Sequence, residues 1–125
     1  MKMLHVCIRV KDLDASLKFY EEAIGLKETR RKDDPVNKFT LVYLSDRDGG
    51  YEMELTYNYD QEEPYTIGNG FSHTAVETEN LEESRERHKE MGYEVTDLMG
   101  LADGSTRYYF VTDPDGYRVE VIEAK

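Results

Sequence analysis

Apolar and polar residues alternate along "MLHVCIRV", residues 3–10, so that Leu4, Val6, Ile8 and Val10 share one face of an extended chain while His5, Cys7 and Arg9 share the other. The period then lengthens. In "DLDASLKFYEEAIG", residues 12–25, Leu13, Leu17, Tyr20 and Ile24 recur on one helical stripe, with Asp12 placed as N-cap and Gly25 as the stop. Strands are predicted again at roughly 27–33, 38–45 and 51–58, which makes the first half βαβββ. A polar, turn-rich joint, "DQEEPYTIGNG" at 60–70, follows. The second half repeats the order, with a strand at 71–78, a helix at 80–92 and strands near 93–99, 106–112 and 116–123. Asn80 and Glu83 predict a capping box. The stripe Leu81, Ser84, His88 and Met91 is thin and needs help from the aliphatic stems of Arg and Lys, which gives His88 a packing or surface role. The predicted fold class is α+β: one domain of two tandem βαβββ modules, about 1–59 and 71–125 with the joint at 60–70, whose curved mixed sheets form a cleft.

The two halves also repeat in detail. At an offset of 68, His5 falls on His73, Leu13 on Leu81 and Ser16 on Ser84. Toward the end of each half the offset is 66, and "GYEMEL" at 50–55 falls on "GYRVEV" at 116–121, so Glu54 matches Glu120. Taken singly, Glu120 opposite the apolar Val119 and Val121 reads as the solvated side of a strand. A merely wet face has no reason to repeat His and Glu at equivalent places. His5, Glu54, His73 and Glu120 are therefore predicted to converge as metal ligands on the concave side of the sheets. Two imidazoles and two carboxylates suit a six-coordinate divalent ion such as Ni²⁺, Co²⁺, Mn²⁺ or Fe²⁺, and also accommodate Zn²⁺.

Composition narrows the remaining classes. A length of 125 residues suits one domain with its own core. Acidic residues outnumber basic ones by 27 to 16, and a net charge of −11 repels a phosphate backbone, which argues against nucleic-acid binding. No stretch approaches the roughly 20 apolar residues that span a bilayer, so the expectation is a soluble, cytoplasmic protein with no membrane partner. The single cysteine, Cys7, excludes an internal disulfide and any CxxC motif, and is expected to serve as a small buried apolar residue.

The opening "MLHVCIRVKDLDASLKFYEEAIGLK", with "ELTYNY" at 54–59, "GFSHTAV" at 70–76 and "FVTDPDGYRVEVIE" at 110–123, resembles the short bacterial glyoxalase I family of the vicinal-oxygen-chelate superfamily. The "DPDGY" turn is widespread in that superfamily; the opening together with "ELTYN" is far more specific. The resemblance covers nearly the whole chain and places the family's four metal ligands on His5, Glu54, His73 and Glu120. It implies a homodimer in which His5 and Glu54 of one chain meet His73 and Glu120 of the other. It further implies one divalent ion per site, with nickel favoured and cobalt or zinc able to serve.

The implied reaction isomerises the hemithioacetal of methylglyoxal and glutathione to S-D-lactoylglutathione. Glu120 is then the principal catalytic base, with Glu54 acting on the opposite face, and Arg9 and Asn58 grip the glutathione moiety. The chain departs from the pattern at "LADG", residues 101–104, where relatives often carry a lysine, and at Asn69, where some carry an arginine; Arg107 is the candidate substitute. The alternatives are another metalloenzyme of the superfamily, such as a thiol transferase or a dioxygenase, or a metal-free ligand-binding protein. The fourth protein ligand argues against the first, since oxygen chemistry commonly uses two His and one carboxylate. The intact ligand set argues against the second.

Overall fold

The alternation at the start of the chain becomes strand β1, His5–Arg9, in the computed structural model, which describes residues 1–125. Strands β2 (Lys27–Asp34), β3 (Phe39–Ser45) and β4 (Glu52–Asn58) complete a four-stranded sheet in the order β1-β4-β3-β2, with β1 parallel to β4 and the other pairs antiparallel. Strands β5 (His73–Thr78), β6 (Met99–Gly100), β7 (Arg107–Thr112) and β8 (Arg118–Glu123) form a second sheet in the order β5-β8-β7-β6, again with only the outer β5–β8 pair parallel. The chain divides into two compact units, Met1–Thr66 and Ile67–Lys125, each holding one sheet and its helix. The α+β class and the repeated topology are those expected from the sequence. No helix is long and apolar enough to cross a membrane.

In the first unit, Asp12 caps helix α1 (Leu13–Lys18) by accepting a hydrogen bond from the Ala15 amide at 3.1 Å. The helix then widens into π-helical turns over Phe19–Ile24 and stops at Gly25, whose φ of 87° is the left-handed conformation glycine adopts freely. The face turned to the sheet is Ser16, Phe19, Tyr20 and Ala23. Leu13, Leu17 and Ile24, expected on the central stripe, flank it and are only half-buried. The small side chains of Ser16 and Ala23 leave room for the two rings between them. Below lie Ile8, Val10, Val42, Leu44 and Leu55, each almost fully buried and each contributing roughly 1.5–3 kcal/mol of hydrophobic stabilisation.

The second unit has a thinner core, built from Leu81, Tyr109, Val111, Val119 and Val121. Helix α2, Leu81–Glu90, buries only Leu81 and His88, and His88 Nδ1 meets the Tyr109 hydroxyl at 2.9 Å. Arg85 supplies the expected aliphatic help, lying half-buried while its Nε donates to the Thr96 carbonyl at 2.7 Å. Two features of this unit differ from those expected from the sequence. Asn80 stands at the N-cap but makes no side-chain cap bond, so there is no capping box; the Thr78 hydroxyl bonds the Ser84 hydroxyl at 2.9 Å instead. The strand predicted at 93–99 shrinks to Met99–Gly100, with an isolated bridge between Val95 and Val111 upstream. At its centre the Thr96 amide and hydroxyl both bond Phe110, which ties the segment to β7 without a continuous ladder.

Candidate metal centre

In each unit the helix covers one face of the sheet, and the residues that alternate away from it form the other. On that face His5 Nε2 stands 2.9 Å from Glu54 Oε2 in the first unit, and His73 Nε2 stands 3.0 Å from Glu120 Oε2 in the second. The two pairs arise from the same register. His5 is the Cα partner of Glu52, and Cys7 of Glu54; His73 is the partner of Arg118, and Ala75 of Glu120. Each histidine therefore reaches diagonally across parallel strands to a glutamate two residues further along.

Aromatic rings that the sequence reading did not single out back both histidines. Tyr43, paired with Glu54 on β3, meets the His5 ring edge-on at 5.6 Å, and Phe110, paired with Glu120 on β7, meets His73 edge-on at 5.2 Å. Arginines cover the rings, Arg30 Cζ lying 3.6 Å from the Tyr43 centroid and Arg118 Cζ 3.9 Å from that of Phe110. The available signal was an aromatic at equivalent places, 67 residues apart, between the offsets of the first and last strands. Ser72 adds a further support, its hydroxyl 2.7 Å from His73 Nδ1. Such a contact orients the ring and leaves Nε2 toward Glu120.

Around Glu54 the polar network is denser. Thr56 donates its hydroxyl to Glu54 Oε1 at 3.0 Å, and Cys7 Sγ lies 3.2 Å from Thr56 Oγ1. Cys7 is thus an exposed thiol on the site face, not the buried apolar residue expected from the sequence, because its strand turns Ile8 and Val10 to the helix. Desolvation by its neighbours pushes the Cys7 thiol up, with the Glu54 charge adding to it. Burial likewise raises the Tyr43 phenol, reinforced by its hydrogen bond to Glu54. Glu52, held below its ordinary range by hydrogen bonds from Thr29 and then Arg30, is engaged as the Arg30 counter-ion.

The expected thiol-binding residues fall on the same face of the first sheet. Arg9 is exposed on β1 opposite Thr56, and Asn58 ends β4, where its Nδ2 donates to the Tyr65 hydroxyl at 2.9 Å. Arg107 does not join them. It lies on the helix side of β7, in a close pair with Glu82 of α2 and 3.5 Å from Glu123, so it is removed as a substitute grip. Arg118 is the arginine on the metal-pair face of that sheet.

The donor chemistry fits a divalent ion. Adjacent ligand atoms each about 2.1 Å from a six-coordinate ion stand about 3.0 Å apart, which is the spacing of both His–Glu pairs. Neither pair is joined by a third His, Cys, Asp or Glu, so each supplies two donors.

A repeated βαβββ unit carrying one His–Glu pair per sheet defines a class, and residues 2–121 match the Glyoxalase/Bleomycin resistance protein/Dioxygenase superfamily. The chain belongs to that superfamily, whose glyoxalase I members imply a divalent metal. Within it, the chain is 41% identical over 128 residues to the lactoylglutathione lyase of Neisseria meningitidis, covering 100% of this chain and 92% of that one. It is 40% identical to the lactoylglutathione lyase of Salmonella typhimurium, covering 100% and 94%. Among solved structures it resembles the trypanothione-dependent glyoxalase I of Leishmania major, with a TM-score of 0.86, 35% identity and coverage of 98% of this chain and 86% of that one. It also resembles glyoxalase I of Zea mays, with a TM-score of 0.89 and 37% identity over 98% of this chain and 44% of the maize chain.

Proposed function

We propose that this chain is a metal-dependent glyoxalase I, which isomerises the hemithioacetal of methylglyoxal and glutathione to S-D-lactoylglutathione. The observation that carries the reading is the repeated His–Glu pair at one register in both sheets, 2.9 and 3.0 Å across. Full-length similarity to lactoylglutathione lyases supports the same activity. His5, Glu54, His73 and Glu120 would hold the ion, the first two from one subunit and the last two from its partner in a homodimer. Nickel is the favoured ion, with cobalt or zinc able to replace it. The proposed setting is the cytoplasm, where low-molecular-weight thiols are kept reduced.

A divalent ion bound there supplies Lewis-acid stabilisation of negative charge that develops over two adjacent substrate oxygens. The chain's own task is to move a proton. Glu120 takes it from the carbon that bears sulfur, and the electron pair of that C–H bond shifts toward the neighbouring carbonyl carbon. Returning the proton to that neighbour converts the ketone to an alcohol. The hydroxyl proton of the sulfur-bearing carbon passes to the oxygen of that neighbour, and the sulfur-bearing carbon becomes the thioester carbonyl, so atoms and electrons balance without an oxidant. Glu54 serves the opposite face. Arg9 supplies a fixed cation for a carboxylate of the thiol, and Asn58 a hydrogen-bonding amide.

The test is thioester formation from methylglyoxal and glutathione by metal-stripped protein resupplied with Ni²⁺, Co²⁺ or Zn²⁺. Turnover is expected with Ni²⁺ or Co²⁺ and not without metal. No turnover with any of the three would reject the reading.

A further inference from the structure

The two metal pairs repeat in backbone register, but the side chains around their carboxylates do not. Glu54 is bordered by Cys7 on β1, Tyr43 on β3 and Thr56 two residues along its own strand. The equivalent neighbours of Glu120 are Ala75 on β5, Phe110 on β7 and Ile122 on β8. Every neighbour with a hydroxyl or thiol in the first unit is replaced in the second by one with neither.

The consequence is directional. Glu54 uses Oε2 toward His5 and Oε1 to accept from Thr56. A carboxylate only accepts, and a threonine hydroxyl has one proton, so that proton is committed to Glu54. The Cys7 thiol, 3.2 Å from Thr56 Oγ1, then serves as donor to Thr56 and holds its rotor in place. Glu120 has only the contact of its Oε2 with His73 Nε2, and its side chain is more exposed than that of Glu54, at 17% against 11%. Swinging Glu120 away disrupts one protein contact; swinging Glu54 away disrupts a chain of them.

We propose that Thr56 is the positioning residue that fixes Glu54 as the static carboxylate of the site, and that the absence of an equivalent hydroxyl at Ile122 leaves Glu120 free to leave its ligand position and carry the proton. The inference rests on the glyoxalase reading above. It assigns the division of labour between two register-equivalent glutamates chiefly to the Thr56 hydroxyl, supported by Cys7 and by the Tyr43 phenol that stands where the second unit has Phe110.

The test has an arm that needs no turnover. Chelator competition with Ni²⁺ alone should show affinity falling about 10- to 100-fold in Thr56→Val. Affinity should stay near that of the unsubstituted protein in Thr56→Ser, which keeps the hydroxyl. The second arm uses residual turnover. Releasing Glu54 should let it act in place of the missing base, so Thr56→Val/Glu120→Gln should turn over faster than Glu120→Gln alone, whereas mere structural damage could only slow it. Ile122→Thr keeps the test open if Thr56→Val fails to fold: placing a hydroxyl beside Glu120 should lower kcat about tenfold or more with Ni²⁺ affinity unchanged or higher. Unchanged Ni²⁺ affinity in Thr56→Val, a double variant no faster than Glu120→Gln, or an Ile122→Thr enzyme with undiminished kcat would each overturn the proposal. None of these resembles failure of the glyoxalase reading, which would show as an unsubstituted protein inactive with every metal.

Discussion

Glu120 Oε2 stands 3.0 Å from His73 Nε2 although the two residues are not register partners, since Ala75 lies opposite Glu120 and Arg118 opposite His73. A diagonal reach of this kind needs both side chains extended toward one point, which ordinary solvation of a strand face does not require. Glu120→Gln keeps the shape and one carbonyl oxygen able to ligate a metal, but removes the carboxylate proposed as the base. Turnover should fall by about 10²- to 10⁴-fold, the usual weight of a positioned general base, while chelator competition shows most Ni²⁺ binding retained. Near-normal turnover would remove Glu120 from the proton-transfer role.

The helix caps allow a test of the local structure. Asp12 and Asn80 occupy equivalent N-cap positions, but only Asp12 bonds an amide of its helix. Asp12→Ala should therefore destabilise the protein by about 1 kcal/mol, and Asn80→Ala by less than about 0.5 kcal/mol, in urea unfolding. Equal losses would show that the second cap bonds in solution after all.

That contrast also marks what the letters could and could not convey. The succession of elements along the chain, the helix stop at Gly25 and the His–Glu repeat were all legible, because side-chain alternation and the 68- and 66-residue offsets are properties of sequence alone. The helix face was misjudged where small residues matter: a stripe chosen by hydrophobicity finds Leu13 and Leu17, but close approach to the sheet selects Ser16 and Ala23. Cys7 was misjudged because burial was assigned from its chemistry instead of from its parity on β1 with His5. The backing rings Tyr43 and Phe110 depend on antiparallel register across β3–β4 and β7–β8, and register is fixed by tertiary packing. The same holds for Arg107, whose pairing with Glu82 spans strand and helix.

The core of the second unit carries a pH dependence of its own. Burial pushes the Tyr109 phenol up to about 12, against about 10 in an unfolded chain. The folded state keeps a proton that the unfolded state has lost, so this contribution is complete below pH about 10 and drains away as pH rises toward about 12. Tyr109→Phe should cost about 1 kcal/mol at neutral pH, through loss of the 2.9 Å hydrogen bond with His88 Nδ1. The gap in urea midpoint between the two proteins should then narrow as pH rises above 10. The chain has ten tyrosines, so the comparison between variant and parent, not the parent's curve alone, isolates Tyr109. A gap that stays constant to pH 11 would place the phenol's titration nearer its ordinary value.

Two donors per unit make the subunit arrangement testable by complementation. If a site takes His5 and Glu54 from one chain and His73 and Glu120 from its partner, His5→Ala and His73→Ala homodimers each damage both of their sites. A mixed dimer differs, because one of its sites combines the intact first unit of one chain with the intact second unit of the other. Random reassociation of equal amounts makes about half the dimers mixed, each with one working site of two, so roughly a quarter of the parent's specific activity should return. Mixing without subunit exchange should return none. If each chain built its site alone, every site in every dimer would carry one of the substitutions, and the refolded mixture would be no more active than the average of its parts.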